Sequence, residues 1–127
     1  MKIVVYNSYG QYALSRAELE AVLESLPRLA WACIQEFHLA HSHPRYCEAF
    51  EYDAASRIAY LIFPVAQKTE ANRADALAAL LVGIARIQAG SRFFRPLKPK
   101  ELAEYGAFVS TWLPHCKAAI VRLHERA

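Results

Sequence analysis

"EFHLAHSHPRYCEAFEYDAASRIAYLIF", residues 36–63, decides the fold. Aromatic and branched residues crowd this stretch, and polar and apolar side chains alternate along much of it. That is the period of a strand with one wet face. Together with its flanks it divides into three strand-like runs, 29–42, 46–53 and 57–65, with residues 53–56 as a short connector. The pattern predicts an antiparallel meander with Pro44-Arg45 at the centre of its first turn, where proline presets the backbone angle. In that register Phe37 lies opposite Tyr52, Leu39 opposite Phe50 and His41 opposite Glu48. His38 lies opposite Glu51 on the other face, with Glu36 and Asp53 at its far end. One face is aromatic and apolar, the other largely charged, as in a sheet covered by helices on one side.

Upstream, "KIVVY" (2–6) is short and β-branched and runs into Asn, Ser and Gly, a strand ending in a turn. "LSRAELEAVLESLP" (14–27) then opens with a capping box, Ser15 and Glu18 each positioned to bond the other's amide. Leu14 and Leu19 stand where a hydrophobic staple needs them. Leu19, Val22, Leu23 and Leu26 follow on one helical face that Pro27 ends. Downstream, Thr69 caps a second helix over about 70–88, with Gly90 as its stop. Residues 91–100 read as a loop, and Pro99 suits the first turn of a third helix. Leu102, Tyr105, Val109, Trp112, Cys116, Ile120 and Leu123 keep its helical spacing. Pro114 lies inside it and predicts a kink or break near 110–114. The expected fold is α+β: an antiparallel sheet of about four strands in the order β-α-β-β-β-α-α, helices on one face, as a single domain over 1–127.

Composition sets the outer limits. The chain has 127 residues, of which 55% are hydrophobic, enough for one real core. A formal charge of +3 neither demands nor excludes an anionic partner. Cys33, Cys47 and Cys116 are odd in number and form no CxxC pair, which fits a reducing cytoplasm better than a disulfide framework. The opening residues are too briefly apolar for a secretory signal. The longest apolar run, 76–85, is about half a membrane span. No nucleotide-cradling loop, HExxH or GxSxG elbow occurs, and the four glycines are isolated.

Three constellations carry possible chemistry. His41 and His43 point the same way on an extended segment, with Cys47 close across the turn, and imidazole and thiolate are zinc ligands. The expected strand alternation sends His38 to the other face, however, and the spacing matches no regular zinc pattern. Glu36, His38, Glu51 and Asp53 share a face on which a carboxylate can orient an imidazole as a general base, or merely pair with it. The stretch 86–100 holds Arg86, Arg92, Arg95, Lys98 and Lys100 without an acid. Phe93-Phe94 lies between two of the arginines, a combination able to bind phosphates and stack bases.

A fourth feature concerns surface. From Ala76 to Ala85 the second helix is apolar on every side, more than one flat sheet covers. The expectation is that Leu77, Leu81, Ile84 and Ala85 pack on the sheet. Leu80, Gly83 and Ala76, with Ala79, would then meet the third helix or the same helix of a second copy. The functional expectation is a cytoplasmic protein-interaction module without catalytic activity or cofactor, binding a protein partner or forming a homodimer. The alternatives are a nucleic-acid-binding protein using Arg92, Phe93, Arg95, Lys98 and Lys100, or a metal or hydrolytic site at 38–47.

Overall fold

The computed structural model describes residues 1–6, 12–46, 48–63, 69–90 and 98–126. Its elements are β1 (Lys2–Val5), α1 (Arg16–Ser25), the short α2 (Arg28–Trp31), β2 (Glu36–Ala40), β3 (Phe50–Asp53), β4 (Ile58–Ile62), α3 (Glu70–Gln88) and α4 (Pro99–Glu125). The fold is α+β, as the sequence predicts, with helices packed against one four-stranded sheet.

The sheet is mixed, not antiparallel. Its order is β1-β2-β4-β3; β1 pairs with β2 and β2 with β4 in parallel, and only β3 and β4 run antiparallel. The expected hairpin between β2 and β3 is absent. The chain leaves β2, crosses to the sheet edge to form β3, and turns back to insert β4 between them. Composition explains the placement. Ile58–Ile62 is almost wholly apolar and suits a central strand with parallel neighbours. Phe50–Asp53 carries Glu51 and Asp53, charges that suit an edge. The expected rows survive with one strand added: Phe37, Ala59 and Tyr52 form one, His38, Tyr60 and Glu51 the next, Leu39, Leu61 and Phe50 a third.

The turn after β3 is closed by Arg57, whose φ of 60° lies in the left-handed region and costs a non-glycine residue about 1 kcal/mol. Bonds on all sides offset that. Its amide donates to the Asp53 carbonyl at 2.7 Å, and its carbonyl accepts from Gln35 at 2.8 Å. Its Nε donates to the Cys33 carbonyl at 2.9 Å. The turn is thereby tied to the start of β2.

Ile3, Phe37, Leu39, Phe50, Ala59 and Leu61 form the inward face and share one core with α1, α3 and α4. The capping box of α1 forms as its sequence predicts, with Glu18 N–H donating to Ser15 Oγ at 3.1 Å and Ser15 N–H to Glu18 Oε1 at 2.9 Å. Glu18 is also fully buried. Its Oε2 accepts from Arg73 of α3 at 2.8 Å and His124 of α4 at 3.0 Å, so one carboxylate joins three helices.

Two further expectations are corrected. The expected placing of two α3 residues is corrected: Gly83 abuts the Phe50 ring of β3, while Leu77 lines a groove with Lys117, Ile120 and Val121 of α4. Small residues let the helix approach a sheet bearing a large ring, which assigns Ala76 and Gly83 to that side. Of the kink or break expected near 110–114 in the last helix, the break does not occur, and α4 continues through Pro114. Pro114 is exposed, so the carbonyl it strips of a donor is left to water. Among the described residues no helix is long and apolar enough to cross a membrane.

Candidate functional site

Strand alternation puts Lys2, Val4, Glu36, His38, Ala40, Glu51, Asp53, Ile58, Tyr60 and Ile62 on the outward face, with Tyr6 continuing the β1 row. None of them belongs to the core shared with the helices. Polar and aromatic side chains gather there.

His38 stands at the centre, 8% exposed. Its Nε2 lies 2.8 Å from Glu36 Oε2 and its Nδ1 2.8 Å from the Tyr6 hydroxyl. A carboxylate only accepts, so Nε2 carries a proton and donates to Glu36. This bond, with the Lys2 ammonium 3.5 Å from Glu36 Oε1, holds the Glu36 carboxyl below its ordinary value. Tyr6 itself is 47% exposed. The result is a hydrogen-bonded series of carboxylate, imidazole and surface phenol.

Rings continue across the sheet. Tyr60 meets His38 edge-on at 5.2 Å, and Tyr46 and His43 from the loop after β2 lie 5.1 and 4.9 Å from Tyr60. His43 and Tyr46 stack on each other at 4.6 Å. That loop therefore folds back over the outward face. Burial, together with the neighbouring Tyr46, Tyr6 and Asp53, pushes the Tyr60 hydroxyl above its ordinary value. Asp53 is held low by hydrogen bonds from Ser56 and the Ala55 amide. Glu51 is shifted the other way, raised by burial and by Glu48 against the pull of Arg86.

The residues singled out in the sequence fare differently. Glu36 and His38 come together as the alternation implies, while Tyr60 stands between His38 and Glu51. His41 and His43 diverge. His41 stacks on Tyr12 at 4.2 Å and donates from Nδ1 to the Phe63 carbonyl at 2.8 Å. His43 accepts the Arg45 amide at 3.0 Å and turns to Tyr46. Cys47 lies outside the described residues, and among those described no group of three His, Cys, Asp or Glu is placed to hold a metal ion. Arg92, Phe93 and Arg95 also lie outside them. Lys98 caps α4, its amide donating to Glu101, and Lys100 is exposed within the first turn. Arg86 is buried, with its charge acting on Glu51. Leu80, Gly83 and Ala76 are all buried within the chain.

Sequence reasoning missed Tyr6, Tyr46 and Tyr60. For Tyr6 the signal was present: an aromatic residue in phase with the charged Lys2 at the start of β1. No protein-family model matches the chain, and comparison with characterised proteins and with solved structures gives no match.

Proposed function

We propose that this chain is a cytoplasmic binding module that acts through surface contact, and that its receiving surface is the outward sheet face around His38 and Tyr60. One observation carries the reading. Tyr6, His38, Tyr60, Tyr46 and His43 form a continuous series of rings on a face that lies outside the core cluster shared with the helices. Tyrosine at a surface offers a large contact area, a polar tip and little side-chain entropy to lose, which is why it recurs at the centres of interfaces.

The test is selection of peptides from a random library on the folded protein, followed by mapping of each binder through amide shifts. The expected result is a set of binders that move the amides of Tyr6, His38 and Tyr60 and lose affinity on Tyr60→Ala. Binders that map only to the helical side would refute the reading.

One observation favours a second reading. Carboxylate, imidazole and phenol stand in the order of a base-activated nucleophile, at hydrogen-bond distances of 2.8 Å on both sides of the ring. An activated acyl ester that labels Tyr6 in the parent but not in His38→Asn would establish that role, and equal labelling would dismiss it.

A further inference from the structure

We infer that the groove between α3 and α4 is a ligand site of its own, and that it takes a small aliphatic carboxylate. It lies on the helical side of the sheet and does not depend on the outward face.

The groove encloses about 390 Å³, a volume in the range of small-molecule sites. Its lining divides by chemistry. Leu77 of α3 and Ile120 of α4 are buried, while Val121 is 55% exposed, so the apolar part reaches from the core to the surface. The polar part consists of Glu70, Arg73 and Lys117. Apolar lining with a few charged groups is the composition of a site for an amphipathic ligand.

The charges say which kind. Arg73 is held in place, its Nη2 donating to the buried Glu18 carboxylate at 2.8 Å. Its Nε is buried and has no hydrogen-bond partner among the described residues. Nearly all buried donors in folded proteins are paired, and one left over calls for an acceptor from outside the chain. Lys117 is exposed and makes no ion pair with the described residues, so its ammonium is available to the same acceptor. Glu70, the one acid in the lining, is exposed in the first turn of α3, where water weakens its repulsion of an anion. A carboxylate is an acceptor only, and it answers both cations while its hydrocarbon covers Leu77, Ile120 and Val121. Inorganic phosphate would leave the apolar part wet, and an alkylammonium would bring its charge to two of the same sign.

The probe is sodium octanoate, titrated into the isotope-labelled protein and followed by amide shifts. Acetate, the head without the chain, and octylammonium, the chain with the opposite charge, serve as comparisons. Octanoate is expected to move the amides of Arg73, Leu77, Lys117 and Ile120 to saturation, and neither comparison is at the same concentration. Lys117→Gln should weaken octanoate about fivefold, the upper range for an exposed charge pair, and Glu70→Gln should tighten it about twofold. Both positions are exposed, so neither variant disturbs the core. Arg122→Gln, exposed on the same helix but outside the groove lining, should leave affinity unchanged. Equal movement with octylammonium would overturn the anionic ligand, and equal movement with acetate would overturn the aliphatic one. No saturable shift with octanoate, or full affinity in Lys117→Gln, would overturn the site itself.

Discussion

Replacing Gly83 by alanine sets two effects of known sign against each other. In an exposed helix interior, Gly→Ala stabilises by about 1 kcal/mol because glycine loses more backbone freedom on folding. At Gly83 the new methyl would stand 2.3 Å from Cγ and Cδ1 of Phe50 and 2.6 Å from Cε1. Carbon atoms in contact sit about 3.5–4.0 Å apart, so helix and ring must separate by roughly 1.2 Å or more. Phe50 is 5% exposed on the inward face, and Leu80 and Leu81 beside Gly83 are fully buried, which leaves the ring little room to swing. Overpacking of this kind costs about 1–3 kcal/mol. The overpacking term wins, and Gly83→Ala should destabilise by about 1 kcal/mol net. Removing the ring removes the conflict. In a Phe50→Ala background the same substitution should stabilise by about 1 kcal/mol, giving a coupling of about 2 kcal/mol between the two positions. Urea unfolding of the four proteins, followed by far-ultraviolet circular dichroism, measures each term. A Gly83→Ala protein more stable than the parent, or a coupling near zero, would refute the close approach of α3 to β3.

Other perturbations probe other joints. Leu80→Glu places a carboxylate at a position without accessible surface and should unfold the chain, seen as loss of the helical dichroism signal. Glu18→Ala removes the carboxylate shared by Ser15, Arg73 and His124; the Arg73 and His124 side chains both reach water, so the expected loss is about 1–3 kcal/mol by thermal unfolding, with Ser15→Ala costing about 1 kcal/mol. Glu51 is held above its ordinary value of 4.5, so the fold binds its proton more tightly than the unfolded chain does. Its contribution is greatest below pH 4.5 and is lost as pH rises through the higher folded value. Glu51→Gln should therefore gain on the parent as pH rises from 4 to 7 in a series of thermal melts, and a constant difference would contradict the shift. Cys116 is fully buried and its thiol is pushed up to about 11, so iodoacetamide at pH 8 should spare it in the folded protein while labelling half-buried Cys33, as read by peptide mass mapping.

Alternation along a strand reports which face a residue takes, not which strand stands beside it. That is why His38 and Glu51 were correctly assigned to one row while the strand between them went unseen. A parallel neighbour brought in from residues 58–62 leaves no local turn signature in the sequence. The local device at Ser15 and Glu18 was fully legible because its partners are three residues apart. The second use of the same carboxylate was not, because His124 is 106 residues away. On α3 both stripes are apolar, so hydropathy could not rank them. The informative property was size, with a glycine where a phenylalanine approaches. At the candidate site the carboxylate and histidine were visible as charged positions in phase. The tyrosines do not stand out in the sequence, because an aromatic residue in a strand is more often core.

The position of β4 has a kinetic consequence. The strand at the middle of the sheet is the last of the four to leave the ribosome, so the sheet cannot grow by adding each new strand to the last. Until residues 58–62 emerge, β2 has a partner on one side only, and β3 has none at all. The nascent chain thus carries an unpaired edge whose residues, Glu36–Ala40, are largely buried in the finished protein. Sheet closure then waits on contacts between segments far apart in sequence, which is the slow kind of step and the one that exposes a chain to sticking to its neighbours. A chain stopped before residue 58 keeps that edge open, and it is the form of this protein expected to aggregate first.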